Sequence, residues 1–493
     1  MTNDIHYFKK NEKLSFHTDD TKPVNKLIIG DNFQALQNLL IQYKGKINVI
    51  YIDPPYGKDS MGEFAKTNYN NSLTRDNLLS MLYPRLHLAK QLLSDDGVIF
   101  CSIDDKNQAY VKCLFDEVFG EENFVGNLAT IMNLKGNQDE YGFAGAHEET
   151  LVYTKTKNGC KFSEFDIDED EEDEWLEDEI GYFKKGATLK RTGQDAPREK
   201  RPYGYYPILI HKDTNEIECI TIEEYKKIYD EKEKKFNDKF MEELRKKYEG
   251  KGYVFLIPME KENLTSWRWS YNKVKDDFNE IIISSDNDDY SLYKKQRPSI
   301  GDIPTKKPKS IFYKPEYSSG NGTAQLKTLF KDKIFNNPKP IDLIKDFIKI
   351  SSNQDSIILD FFAGSGTTGQ AVLDLNKKDG GNRTFILCQM NEVTDTTPNG
   401  IAYDVTSKRL KRVMTGSCYD GTKDFDWLKK NEPYGGNLDV YEIASVANFE
   451  TTQGKTPFDV IDETLYGKEK FSSVQEKIDW VCSNFEKTQK EVK

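Results

Sequence analysis

Two stretches with an alternating β and α pattern lie far apart in this chain, at 25–154 and 339–414, and neither is long enough to complete an open sheet. In the first, apolar Leu27-Ile28-Ile29 meets a Gly30-Asp31 turn, and a helix follows with Phe33, Leu36, Leu39 and Leu40 on one face. Then come INVIYI (47–52), apolar enough to be buried on both faces, a helix across 76–94, and the strand GVIFCSI from Gly97. Val111, Leu114, Phe115 and Val118 mark one more helix. In the second stretch a helix over 341–350 precedes SIILDFF, a glycine turn, a helix from Thr367, the strand TFILCQM (384–390) and a helix near 403–414. One doubly wound α/β sheet, largely parallel and assembled from both ends of the chain, is the economical solution.

Between the two, about 156–335, neither period persists. Acidic and basic blocks, Tyr and Trp, a charged helix near 222–248 and Pro-containing turns (Arg297-Pro298, Ile303-Pro304, Lys307-Pro308, Lys314-Pro315) replace it. At 493 residues the chain exceeds one ordinary core. The expected organisation is an arm (1–24), a first α/β half (25–155), an inserted domain (156–335), a second α/β half (336–418) and a C-terminal extension (419–493) to which no role is assigned. The net charge is −12, and residues 164–179 carry twelve acids and no base, so the remainder is neutral. Residues 184–201 hold seven Lys/Arg against two acids, and 294–314 seven against one. Local basic patches decide phosphate attraction, so nucleic acid is not excluded. Seven scattered cysteines without a C-x-x-C pair read as reduced thiols in a cytoplasm and give no metal site. No run approaches the roughly 20 apolar residues of a membrane span, and the start has no secretory signal.

Asp53-Pro54-Pro55-Tyr56 directly follows INVIYI, and the carboxyl ends of strands in such sheets form the ligand crevice. Adenine's exocyclic amine is a poor nucleophile because its lone pair is delocalised into the ring. The Asp53 carboxylate and the Pro54 carbonyl can accept hydrogen bonds from its two N–H groups, and the prolines fix that carbonyl's direction. Tyr56 offers a ring for an extruded base, worth roughly 1–3 kcal/mol.

Residues 357–369, IILDFFAGSGTTG, place Gly364, Gly366 and Gly369 at a strand-to-helix turn where a ligand can approach backbone closely. The literal G-x-G-x-x-G would suit a nicotinamide dinucleotide, but the ribose position after the next strand is Gln389 or Asn391 rather than an acid, and no basic cradle accompanies the loop. S-adenosyl-L-methionine, which has no pyrophosphate, fits better: Phe361, Phe362 and Asp360 can stabilise its sulfonium, and Thr367 opens the helix.

With both motifs present the chain resembles the amino-methyltransferases of DNA. The order D-P-P-Y, variable insert, F-x-G-x-G looks like the permuted β class, and is similar to the modification subunits of type III restriction–modification systems. The likeness covers LIIGDNFQALQNLL, INVIYIDPPYG, GVIFCSIDD, AHEETLVYTK, NPKPIDLI and ILDFFAGSGTTG, about half the chain. It implies a Rossmann-like methyltransferase sheet and site-specific transfer to the N6 amine of a flipped adenine, with cytosine N4 the alternative. It also implies double-stranded DNA as substrate, a restriction (helicase–nuclease) subunit as partner, and a homodimer. The family's cofactor residues carry over onto Asp360, Phe362, Gly364, Gly366 and Lys339-Pro340. Gln389 departs from the acid many relatives have there.

Sequence reading falls to the insert, expected as the target-recognition domain, through Lys190, Arg191, Arg198, Lys200, Arg201 and Arg268. Arg268 stands between Trp267 and Trp269, a triplet that core packing explains equally well. His147 is expected to be structural, and Asp104-Asp105 a helix cap with a solvated neighbour.

Overall fold

The computed structural model describes residues 4–55, 75–133, 136, 142–166, 175–286, 289–298, 305–447 and 456–485. These form two compact units, Met1–Ser163 with Pro308–Lys493, and Glu164–Lys307.

The first unit is built on an eleven-stranded sheet: β1 (Asp4–Lys10), β2 (Phe16–His17), β3 (Val24–Ile29), β4 (Ile47–Ile52), β5 (Leu93–Ile103), β6 (Phe124–Ile131), β7 (His147–Thr154), β8 (Ile311–Phe312), β9 (Ile357–Asp360), β10 (Thr384–Gln389) and β11 (Asn437–Ala447). The spatial order is β1-β11-β3-β10-β9-β4-β5-β7-β6-β8, with β2 beside β11. From β11 through β5 all pairings are parallel, while β7 runs antiparallel between β5 and β6. The two ends of the chain interleave. β9 and β10 sit between β3 and β4, with Leu359 opposite Ile50 and Leu387 opposite Leu27. These strands are apolar on both faces because helices cover both, and Ile50, Ile52, Leu359 and Leu387 have no exposed surface.

The first unit's helices include α1 (Asn32–Tyr43), α2 (Arg75–Leu92), α3 (Asp105–Phe119), α4 (Ser319–Leu329), α5 (Ile341–Ser351), α6 (Thr367–Asp379) and α7 (Lys408–Thr415). Phe347 of α5 stacks on Phe100 of β5 at 4.9 Å, both fully buried, and each such ring contributes roughly 2–3 kcal/mol of burial. Where one helix was expected over 403–414, a π-helical turn (Ala402–Ser407) precedes α7, a feature frequent at functional sites. Asp104 caps α3 by accepting from the Asn107 N–H.

All four expected boundaries move, and residues 156–163, read with the insert, lie in the first unit. The arm at 1–24 supplies β1 and β2, and the extension from 419 supplies β11, so both belong to the sheet. Further along that extension, the Tyr466 hydroxyl accepts the Phe8 N–H and donates to Asn38 of α1, each at 2.8 Å. Residues 308–335, read with the insert, lie in the first unit, where β8 pairs with β6.

The second unit has its own core around Tyr206, Ile208, Leu209, Trp267 and Val274. A four-stranded sheet runs Ile281–Asp286, Asp289–Gln296, Gly181–Thr188, Trp175–Asp178, and a three-stranded one joins Ile217–Cys219, Ile208–His211 and Tyr253–Leu256. The charged stretch near 222–248 is two helices, Ile222–Lys226 and Asp238–Glu249, because a short hairpin intervenes and Asn237 caps the second. Asp178 accepts from Lys295 and Arg297, each at 2.6 Å, and Arg297 also pairs with Glu280. One acid of the run, Asp178, is thereby paired with the start of the second basic stretch. The acidic residues 168–174 lie outside the described residues.

Candidate active site

Because β4 and β9 are neighbours and parallel, the turns that leave their carboxyl ends emerge side by side. Asp53, Pro54 and Pro55 follow β4, and Asp360 ends β9. The next strands outward add Gln389 at the end of β10 and Asp31 after β3, so four adjacent strands deliver polar groups to one rim. Tyr56 lies outside the described residues.

Asp53 is half-buried, and its Oδ1 is 3.2 Å from Nζ of Lys339, whose side chain is 9% exposed. The same ammonium also pairs with Glu148 of β7. Burial alone would depress the lysine, but the Asp53 and Glu148 carboxylates outweigh it and hold it above its ordinary value. Lys339, carried over from the resemblance as a cofactor contact, is therefore bound to the proposed catalytic carboxylate, and Pro340 fixes the start of α5 behind it.

Asp360 is 2% exposed. Burial pushes its carboxyl up to about 7, a rise to which the Asp53 charge adds. The Thr368 hydroxyl (2.5 Å) and the Phe362 N–H (3.0 Å) donate to it and limit that rise. Phe361 is not presented to the crevice as expected. It is 1% exposed in the main core, and its carbonyl accepts from Asn32 at 2.6 Å. Phe362 is the partly buried ring of the pair.

The glycine loop is braced from behind. Gly366, at φ +82°, caps α6 in a left-handed conformation that a side chain would strain, and a Cβ there would meet Thr406 at 3.3 Å. Thr406, in the π-helical turn, donates to the Gly364 carbonyl at 2.6 Å. Arg409 of α7 is 1% exposed, and burial lowers it to about 9. It donates to Ser365 and Thr367, each at 2.9 Å, and to Gln370 at 2.8 Å. The sequence reading missed Arg409, Thr406, Thr368 and Glu148. An arginine four residues from Val405 and Val413, on the apolar face of a helix, was the available signal for the first. Gln389 is engaged as well, since its Oε1 accepts the Gly364 N–H at 2.6 Å and its Nε2 donates to the Met390 carbonyl.

This rim suits a cationic adenosyl ligand better than a pyrophosphate. Asp31, Asp360 and Asp53 line it, and the cations Arg85 and Lys339 are each paired with a carboxylate there. His147 is exposed and bonds Glu149 at 3.2 Å.

In the second unit the expected DNA contacts divide. Arg198 grips Asp238 with two donors (2.6 and 3.1 Å) and lies over the Phe236 ring at 4.3 Å, which makes it part of that unit's structure rather than an available contact. Lys200 and Arg201 are exposed, Lys200 pairing loosely with Asp195 at 3.4 Å. Lys190 and Arg191 are half-buried, and the Arg191 Nε donates to the Trp267 carbonyl. Trp267 is core, with its Nε1 donating to Tyr206, and exposed Arg268 donates from Nε to the Thr188 carbonyl.

The chain is 42% identical to the Mod subunit of the type III restriction-modification enzyme EcoPI of Escherichia phage P1, over 80% of this chain and 62% of that one. It therefore spans less than two thirds of that relative's length. It is 28% identical to the type II methyltransferase M.KpnI of Klebsiella pneumoniae over 84% and 94% of the two chains. Identity to the StyLTI Mod subunit of Salmonella typhimurium is also 28%, over 87% and 64%. Among solved structures, PvuII DNA methyltransferase (cytosine-N4-specific) aligns with 84% of this chain and 97% of its own, at 12% identity and a TM-score of 0.37. Residues 47–394, which carry both turns of the rim, match the family model described as DNA methylase, and the chain belongs to that N6_N4_Mtase family.

Proposed function

We propose that the chain transfers a methyl group from S-adenosylmethionine to the N6 amine of an adenine extruded from double-stranded DNA. The observation that carries this reading is the parallel pairing of β4 with β9, which brings Asp53 and the glycine loop to one rim. When bound, S-adenosylmethionine supplies an electrophilic methyl on a sulfonium. Asp360 offers a buried carboxylate behind the loop, and the Gly364–Gly366 backbone admits the adenosyl group closely. Asp53 and the Pro54 carbonyl accept hydrogen bonds from the two amine N–H groups, which steers the nitrogen lone pair out of the ring plane. The surplus proton that methylation would leave on the nitrogen would pass to Asp53 and on to solvent. The target base must leave the stack because its amine is otherwise paired. Radiolabelled methyl transfer to DNA followed by nucleoside analysis tests the reading: N6-methyladenine is expected, and N4-methylcytosine or an unlabelled product overturns it.

Tyr56 is assigned the stacking surface for that base. Tyr56→Phe should retain most activity, whereas Tyr56→Ala should lose roughly tenfold to hundredfold in kcat/KM, in line with the 1–3 kcal/mol of one base–ring stack. Equal losses in the two variants would give the hydroxyl, not the ring, the role.

Sequence reading is assigned to the second unit, and partnership with a restriction subunit is the assembly expected from the Mod relatives. Charge reversal at Lys190, Arg191, Lys200, Arg201 and Arg268 should weaken DNA binding and flatten its salt dependence, the slope falling by about 0.9 for each phosphate no longer neutralised. Arg198→Ala should instead lower the melting temperature with little change in that slope. An unchanged slope in the five-site variant moves DNA contact elsewhere.

A further inference from the structure

We propose that Glu148 is a positioning residue for Asp53, acting through the buried ammonium of Lys339. The inference deepens the amine-methylation reading and rests on it. Asp53 leaves β4 and Glu148 is the second residue of β7, with β5 between those strands. Lys339 joins the two carboxylates. Its backbone is held in place: a Cβ on Gly322 of α4 would lie 2.0 Å from the Pro338 carbonyl oxygen and 3.0 Å from the Lys339 carbonyl carbon, so α4 rests directly on this segment. Pro340 then fixes φ at the start of α5. A lysine on so constrained a stem holds the Asp53 oxygen at one place.

The charge count explains why a second acid is needed. A buried ammonium facing Asp53 alone would neutralise it and leave a poor acceptor for an amine that becomes cationic as it is methylated. Shared with Glu148, the same ammonium leaves these three groups, when all are ionised, with a net charge of −1, so its pull on Asp53 is partly offset while the carboxylate remains anchored. Among the described residues the other titratable groups around Asp53 include Tyr51 of β4, Cys101 of β5 and Asp360 of β9. Burial holds the tyrosine and the thiol neutral, and Asp360 adds negative charge when ionised.

Glu148→Gln is nearly isosteric and removes one charge. It concentrates Lys339 on Asp53, so Asp53 should titrate at lower pH. The maximal kcat should fall roughly tenfold to hundredfold, the usual cost of losing an outer support. KM for DNA and Kd for S-adenosylmethionine should change little. Lys339→Met should move the Asp53 titration the opposite way, because two carboxylates then face each other without a counter-charge, and Lys339→Arg should restore much of the wild-type titration. The measurement is a carboxyl carbon-13 NMR titration of the aspartate-labelled full chain, with Asp53→Asn to assign the signal, alongside kcat against pH. Opposite shifts in the Glu148 and Lys339 variants support the clamp. Should Lys339→Met fail to fold, Glu148→Gln decides alone. An Asp53 signal that titrates as in the wild type in Glu148→Gln overturns the clamp, whether or not DNA is methylated. A wild-type protein that labels no DNA overturns the amine-methylation reading and leaves the titration result standing.

Discussion

Asp53→Ala is expected to lower kcat for methyl transfer by at least about a thousandfold while S-adenosylmethionine binding changes only a few-fold. The activity loss follows from the chemistry of the amine: without an acceptor, the nitrogen lone pair stays delocalised and the developing positive charge meets no carboxylate. The fold should survive for a reason visible in the ion pairs. Removing Asp53 does not orphan the buried Lys339, whose ammonium remains paired with Glu148. Asp53 itself is half-buried at a strand end rather than in the core. Asp53→Asn keeps one carbonyl acceptor but no charge, so its activity should fall between wild type and alanine. Transfer from methyl-labelled S-adenosylmethionine, with calorimetric binding in parallel, checks both halves. Alanine turnover within about tenfold of wild type would remove Asp53 from the chemistry, and loss of cofactor binding would recast it as a cofactor ligand.

The strands and turns that carry these groups were legible because their signals are local. INVIYI and IIL are apolar runs each followed directly by an acid, Asp53 and Asp360, and the glycines announce a turn that side chains would strain. The single sheet was legible too, from the insufficiency of each half. The interleaved order was not, because nothing in a run of Ile and Leu specifies its neighbour. β11 escaped for a related reason: Asn437–Ala447 mixes charged and apolar residues and has no turn motif to anchor it. Glu148 was hidden because its role depends on a partner 191 residues away, and the helical spacing that marks Arg409 as buried does not reveal its partners 39–44 residues away. Phe361 was misjudged since an aromatic doublet does not reveal which ring faces inward, and the core took the first. Arg198 looked like a phosphate contact until folding brought Asp238 to it.

Binding of S-adenosylmethionine should strengthen as pH rises toward 7 and then level off, with a proton expelled on binding below that point. The cause is Asp360, whose carboxyl burial pushes up to about 7 from an ordinary 3.8. In the folded protein without ligand this acid therefore holds a proton between about pH 4 and 7 that the unfolded chain has already lost. Native protein binding more protons than unfolded means that stability declines as pH rises through that window, and Asp360 contributes no further change above it. A sulfonium cation favours the ionised form, so its arrival lowers the carboxyl's proton affinity and expels the proton. Affinity should gain up to about tenfold per pH unit below 7, the limit for release of one proton. Asp360→Asn should bind more weakly at about pH 8 and lose this dependence, while retaining the Phe362 N–H contact through its carbonyl oxygen. Titration calorimetry in two buffers of different ionisation enthalpy measures the release directly: close to one proton at about pH 6 and close to none at about pH 8.5. Equal release at both values, or an unchanged profile in Asp360→Asn, would show that Asp360 is not the group coupled to the cofactor.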